Sequence, residues 1–86
     1  MKLKDGFLLR SVAGQPVVLP AGADVDFNDM ITLNDTGCTL WKRLEQGAER
    51  EELIRALLDE YEVDETTAGT AADTFVQRLK ELDLLA

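Results

Sequence analysis

The chain has 86 residues, of which 45% are hydrophobic and 30% are charged, and its formal net charge is −8. This length and composition predict one small globular domain with a modest core, and they exclude a disordered chain and a transmembrane helix. Residues 35–86 carry thirteen acidic and six basic side chains. No Lys/Arg cluster provides the positive face that binding to a nucleic acid or an anionic membrane requires, so neither is an expected partner.

Two strands of a hairpin are predicted near the start of the chain. Residues 7–12 and 16–19 are short apolar runs, and the loop between them contains Gly14. A short loop with glycine between two such runs is typical of a β-hairpin. Pro16 and Pro20 lie at the ends of the second strand, where a missing N–H does little harm to strand pairing.

The segment that follows the hairpin is acidic. Val25 and Phe27 alternate with polar residues, which favours a short exposed strand or an extended segment. The acidic spacing resembles a calcium-binding loop, but glycine is missing at loop position six and glutamate at position twelve. A solvated loop is therefore the favoured interpretation of the residues Asp24, Asp26, Asn28 and Asp29.

A third strand is predicted over residues 30–33. Successive side chains of a strand point to opposite faces of the sheet. We expect Ile31 and Leu33 to point into the core, so that Met30 and Thr32 face the other way.

The apolar period becomes helical from residue 35 onwards. Asn34 or Asp35 is suited to cap the first helix, and Gly47 is suited to end it. Trp41 is interpreted as a core residue of this helix rather than as a stacking platform, because it shares the helical spacing of its apolar neighbours. The predicted buried face consists of Gly37, Leu40, Trp41 and Leu44.

Two further amphipathic helices complete the chain. The second is predicted over residues 50–61, and the third from a cap at Asp64 to about Leu82, after which Leu84 and Leu85 return to the core. The predicted apolar stripes are Leu53, Ile54, Leu57, Leu58 and Tyr61 in the second helix, and Ala68, Ala72, Phe75, Val76, Leu79 and Leu82 in the third. The order β-β-β-α-α-α predicts one α+β domain over residues 1–86, in a winged helix-turn-helix arrangement.

The junction between the third strand and the first helix carries a family resemblance. Residues 30–41 read MITLNDTGCTLW, which resembles the MITLNETGAFLW signature of the PqqD-like family, named for pyrroloquinoline quinone synthesis. The likeness continues along nearly the whole chain at the expected spacing, through the YEVD junction at residues 61–64. Cys38 stands where alanine is usual, and residues 69–72 are smaller than is common in the family.

The resemblance implies a fold and a function. Members fold as three antiparallel strands followed by three helices, and they are peptide chaperones, also called precursor-peptide recognition elements, of natural-product biosynthesis. They bind the leader segment of a ribosomally made peptide, which a partner enzyme, often a radical SAM enzyme, then modifies. The leader adds as an extra strand beside the third strand, in a groove shared with the third helix.

On this sequence, the third strand and the third helix are therefore expected to supply the peptide-binding residues. An open strand edge offers backbone hydrogen bonds to a peptide. We expect Arg78, one turn after Thr74, to meet an acidic residue of the peptide. The expected peptide-binding set is Met30, Ile31, Thr32, Leu33, Thr74, Phe75, Arg78, Leu79 and Leu82. Plain core packing is the alternative interpretation of Phe75 and Leu79.

The residue types that catalyse most reactions are absent from the sequence. There is no histidine, and the single cysteine, Cys38, forms no internal disulfide and no usual zinc site. Cys38 is either a nucleophile at a helix start or, as the favoured interpretation, a small apolar residue of the first helix. We therefore expect a non-enzymatic chain with no metal and no cofactor. The N-terminus lacks the features of a signal peptide, so a cytoplasmic location is expected.

Two rival functions remain at this point. A DNA-binding winged helix is compatible with the predicted fold, but the negative charge of the helical half opposes it. A general interaction or regulatory domain with a folded partner is the other alternative. We expect the chain to be a monomer or a weak homodimer.

Overall fold

Three strands precede three helices in the computed structural model, which describes residues 1–20 and 30–86. The elements are β1 (Phe7–Val12), β2 (Gln15–Pro20), β3 (Ile31–Thr32), α1 (Asp35–Glu45), α2 (Arg50–Glu60) and α3 (Glu65–Glu81). This confirms the α+β class and the element order. The predicted extended segment around Val25 and Phe27 and the acidic loop of residues 24–29 lie outside the described residues.

The described strands form one antiparallel sheet in the order β1-β2-β3. The hairpin between β1 and β2 is closed by Ala13 and Gly14, whose φ angles are both positive, at 52° and 81°. A two-residue hairpin turn with positive φ at both positions matches the right-handed twist of the strands, and glycine adopts a positive φ without strain. β3 is shorter than predicted, and it pairs with β2 through Val17↔Thr32 and Val18↔Ile31.

Local side-chain chemistry fixes where each helix begins. Asn34 caps α1 by accepting a hydrogen bond from the Gly37 N–H at 2.7 Å, and Asp64 caps α3 in the same way at Thr67. A reciprocal pair of bonds between Glu49 and Glu52 starts α2. These side chains satisfy N–H groups that have no partner inside the helix.

The core lies between the sheet and the three helices. Its largest fully buried side chains are Trp41, Leu40, Leu44, Leu53, Leu57, Leu79, Val17 and Val18. The core role predicted for Trp41 is confirmed, although its indole N–H has no hydrogen-bond partner among the described residues. Leu84 is buried and its carbonyl accepts a hydrogen bond from the Lys4 N–H, so the tail packs back as predicted.

Two residues of the predicted apolar stripes are exposed. Leu58 of α2 is 39% exposed and Leu82 is 44% exposed. Leu82 is the C-cap of α3, where the helix ends and its stripe no longer faces the other helices. Leu58 follows the buried Leu57 and lies on the outer edge of the α2 stripe.

The small residues of α3 have a packing role. A Cβ atom on Gly69 would lie 3.2 Å from Nη2 of Arg50 in α2. The Arg50 guanidinium then reaches Asp73 through two hydrogen bonds, of 2.7 and 3.0 Å. A side chain at residue 69 would therefore press on the end of the Arg50 side chain, which would have to shift by a few tenths of an ångström. Among the helices of residues 1–20 and 30–86, none has the length and apolarity needed to cross a membrane.

Candidate functional site

The outer side of β3 presents backbone groups away from the sheet. The Leu33 N–H donates to the Pro16 carbonyl at 3.0 Å, which places Leu33 opposite Pro16 and makes Val17↔Thr32 a pair without direct hydrogen bonds. In such a pair the N–H and C=O groups point away from the neighbouring strand. The backbone of Thr32 therefore faces the side of β3 on which the described residues place no further strand.

The first turn of α1 forms one end of the same region. Thr36 donates from its hydroxyl to the Asn34 side-chain oxygen at 3.1 Å, and that oxygen also caps the Gly37 N–H. A Cβ atom on Gly37 would lie 3.2 Å from the ring of Phe75 and 2.9 Å from the Asn34 oxygen. Gly37 thus lets the Phe75 ring lie directly against the backbone of α1.

One face of α3 stands across from β3. Ala71, Thr74, Phe75 and Arg78 follow the spacing i, i+3, i+4 and i+7, so they share a helix face. Ala71 and Phe75 are half-buried, whereas Thr74 and Arg78 are exposed. The face thus combines an apolar lower part with a polar rim.

Between these elements lies an open groove of about 500 Å³. We call it the β3–α3 groove, and the residues that line it are Gln15, Thr32, Leu33, Asn34, Thr36, Gly37, Leu40, Ala71, Thr74, Phe75 and Arg78. Of these described residues, Arg78 alone carries a charge. On a chain of net charge −8, the groove is therefore neutral apart from one guanidinium.

Comparison with known proteins identifies the family. Residues 16–85 match the model of the family described as coenzyme PQQ synthesis protein D (PqqD). The chain belongs to the PqqD family. No curated protein sequence matches the chain.

Two solved structures resemble this PqqD-family chain along its whole length. The first is TbiB1 in complex with the TbiA(beta) leader peptide, at 27% identity and a TM-score of 0.77, with 99% of this chain and 94% of that chain covered. The second is lasso peptide synthetase B1 complexed with the leader peptide, at 25% identity and a TM-score of 0.75, with coverage of 96% and 93%.

The structure brings together five of the nine residues that the sequence predicted for the site. Thr32, Leu33, Thr74, Phe75 and Arg78 line the β3–α3 groove. Thr32 and Leu33 belong to the segment of residues 30–41, and the other three belong to α3, so the groove lies between these two parts of the chain.

The other four predicted residues lie elsewhere. Leu79 is only 2% exposed and packs in the core, which supports the alternative interpretation of core packing rather than the expected peptide contact. Leu82, at the end of α3, does not line the groove either. Ile31 packs against the core as expected, and Met30 is half-buried outside the groove lining.

Sequence reasoning missed six groove-lining residues, namely Gln15, Asn34, Thr36, Gly37, Leu40 and Ala71. The helical spacing back from Thr74 and Arg78 would have found Ala71. The sequence predicts Asn34 as a helix cap and Gly37 and Leu40 as residues of the buried face, so their spacing does not indicate a groove. No local signal indicates Gln15, which reaches the groove from β2.

A second cleft, of about 600 Å³, lies between α1 and α2. It is lined by Arg43, Glu51, Glu52, Arg55, Ala56, Asp59 and Glu60, and an Arg43–Glu52 ion pair connects its two helices. Although it is slightly larger, it has neither a strand edge nor an apolar floor. The β3–α3 groove is therefore the better candidate site.

Proposed function

We propose that this PqqD-family chain is a leader-peptide-binding module, which captures the leader segment of a ribosomally made precursor peptide and presents it to a modifying enzyme. The observation that carries the proposal is an outward-facing strand backbone beside an apolar groove. Its support from relatives is that two proteins of similar fold, TbiB1 and lasso peptide synthetase B1, are described as complexes with leader peptides.

The leader binds by strand addition beside β3. The Thr32 N–H and C=O groups exchange hydrogen bonds with one residue of the leader, which becomes a fourth strand of the sheet. The backbone of Met30 is available before that point, whereas the Ile31 N–H and C=O groups face Val18 of β2. Because the described part of β3 is only two residues long, side chains of the groove supply much of the affinity.

The groove selects the leader's side chains. Alternate residues of an added strand point toward α3, where an apolar side chain contacts Leu33, Leu40 and Phe75. A carboxylate two residues further along meets Arg78, which has no ion-pair partner among the described residues. A guanidinium that forms a charge-assisted bond with a carboxylate gives both affinity and register.

The domain performs no bond chemistry in this proposal. By holding the leader, it raises the effective concentration of the precursor near an enzyme in the cytoplasm. Radical SAM enzymes are frequent partners of proteins that this sequence resembles, so such an enzyme is the partner we propose. The winged helix-turn-helix description of the fold stays a prediction.

A titration monitored by ¹⁵N NMR tests the proposal. The probes are peptides from short reading frames encoded next to the gene, and a scrambled version of each is the matched control. We expect the largest shifts at Thr32, Leu33, Thr74, Phe75 and Arg78. Methylating the peptide nitrogen that faces Thr32 should abolish binding, whereas methylating the next nitrogen should not, because it points away from β3.

A different pattern would contradict strand addition. If no neighbouring peptide shifts these amides and a folded protein binds at another surface, the chain is a general interaction domain. If both methylated peptides bind as well as the parent, the peptide is held by side chains alone.

A further inference from the structure

The ladder between β2 and β3 lacks one backbone donor. Leu33 donates its N–H to the Pro16 carbonyl, and in a regular antiparallel ladder Pro16 would return the bond to the Leu33 carbonyl. Proline has no N–H, so this return bond cannot form. The Gln15 side chain takes its place, because Nε2 of Gln15 donates to the Leu33 carbonyl oxygen at 2.7 Å.

The carbonyl that Gln15 reaches lies at a junction. Leu33 separates Thr32, the last residue of β3, from Asn34, the cap of α1. Leu33 is 4% exposed, so without Gln15 its carbonyl would lack a partner in a place where water reaches it poorly. One side chain therefore connects the end of the strand to the start of the helix.

We propose that Gln15 is a positioning residue of the β3–α3 groove, and this inference rests on the proposed function. By holding the Leu33 carbonyl, Gln15 keeps the adjacent Thr32 backbone in the extended geometry that an incoming peptide strand needs. Its side chain lies on the groove lining, which places it next to the backbone that it orders.

This role affects peptide affinity more than global stability. Gln15 is exposed, so replacing it removes little buried area and leaves the core intact. The lost bond instead allows residues 32–34 to sample other conformations. The apparent affinity for a ligand is proportional to the fraction of the protein in the binding-competent state, so it falls when that fraction falls.

A set of variants tests the inference. Gln15→Met keeps the length of the side chain but removes the donor, and Gln15→Lys restores a donor. Gln77→Met makes the same change at an exposed glutamine of α3 outside the groove lining. Peptide affinity is measured by fluorescence anisotropy, at high ionic strength to screen the lysine charge, and amide hydrogen exchange is measured on the free proteins.

We expect Gln15→Met to raise the Kd about 3- to 10-fold, which is the effect of one hydrogen bond. Gln15→Lys should bind within about twofold of the wild type, and Gln77→Met should bind unchanged. Exchange at the Leu33 amide, which donates to Pro16, should quicken in Gln15→Met alone. The melting temperature of Gln15→Met should fall only slightly, because local opening lets water reach the Leu33 carbonyl, and that of Gln77→Met should not change.

Three results would overturn the inference. If the wild type binds a peptide and Gln15→Met binds it equally well, Gln15 does not position the strand. If Gln15→Lys is as weak as Gln15→Met, the donor is not what matters. If the wild type binds no peptide, the proposed function fails, and unchanged exchange at the Leu33 amide in Gln15→Met would remove the positioning role as well.

Discussion

The two long faces of α3 differ in how completely they are filled. The inward face consists of small or apolar residues, Ala68, Gly69, Ala72 and Leu79, all of them buried. The groove face, formed by Ala71, Thr74, Phe75 and Arg78, stands across an open cleft from β3. One helix thus contributes a closed packing surface on one side and an open surface on the other.

The residue types explain the difference. On the inward side, Ala68, Gly69 and Ala72 are small enough to be buried against the other elements, and the Arg50–Asp73 ion pair joins α2 to α3 at the surface. On the groove side, the described β3 ends after two residues and leaves the space above Phe75 unfilled. We infer that the inward face determines stability and the groove face determines recognition. Four substitutions test this separation.

The largest effect is expected from Leu79→Ala. Removing a side chain that is 2% exposed leaves a cavity in the core and should lower the free energy of unfolding by about 2–5 kcal/mol. Leu82→Ala is the matched control, because the same change at a side chain that is 44% exposed should cost less than about 1 kcal/mol. Urea denaturation measures both values. Equal losses would mean that Leu79 contributes no more to the core than the exposed Leu82.

Arg78→Glu should act on recognition alone. The change reverses the single charge of the groove, so a leader with a carboxylate opposite Arg78 should bind about tenfold more weakly or worse. Isothermal titration calorimetry measures the loss, and the melting temperature should stay constant. Replacing the leader's carboxylate by lysine should restore binding to the variant. A leader that binds the wild type and Arg78→Glu equally well would show that Arg78 does not contact the carboxylate of the peptide.

Gly37→Ala should affect both properties, because Gly37 lies where the groove meets the core. The new methyl group would lie 3.2 Å from the Phe75 ring and 2.9 Å from the Asn34 cap, so one of them must move. We expect a loss of about 1–3 kcal/mol in unfolding free energy, as overpacking usually causes, together with weaker leader binding. The double variant Gly37→Ala, Phe75→Leu should recover part of the stability. No recovery would mean that the clash is with Asn34 instead.

How far the sequence predicts these faces depends on the range of the interactions. The caps at Asn34 and Asp64 and the glycine that ends α1 are local features, and all three are where the pattern indicates. The helical period also predicts the core residues of α1. Local chemistry was sufficient there because each bond joins residues within one turn.

The groove was predicted less completely, for two physical reasons. Phe75 lies on α3 between the inward and the groove face, so the helical period alone groups it with Leu79, although only Leu79 is buried in the core. Gln15 reaches Leu33 across 18 positions of sequence, and its role arises only because Pro16 lacks an N–H. Neither the boundary between two faces nor a bond across strands has a local sequence signal.

The smallest effect is expected from Asp73→Asn, which weakens the ion pair that joins α2 to α3 at the surface. Hydrogen bonding to Arg50 lowers the pKa of the Asp73 carboxyl below its ordinary value. A carboxyl with a lowered pKa in the folded state adds stability above its ordinary pKa, and this stability is lost as the pH falls through the folded-state pKa. The wild type should therefore melt slightly above Asp73→Asn at pH 7. The difference should shrink as the pH falls below the ordinary carboxyl pKa of about 4 and disappear below the lowered folded-state pKa.

Asp59→Asn is the control for this prediction, since Asp59 is an exposed aspartate with no ion pair among the described residues. It should show no such pH-dependent difference in melting temperature. The decisive comparison is the leader affinity of the wild type and of Asp73→Asn at pH 7. Asp73 is adjacent in sequence to Thr74, which lines the groove. Unchanged affinity in Asp73→Asn would support two independent faces. A loss of affinity larger than the loss of stability would mean that the ion pair orients the groove face of α3, and that packing and recognition are coupled through this helix.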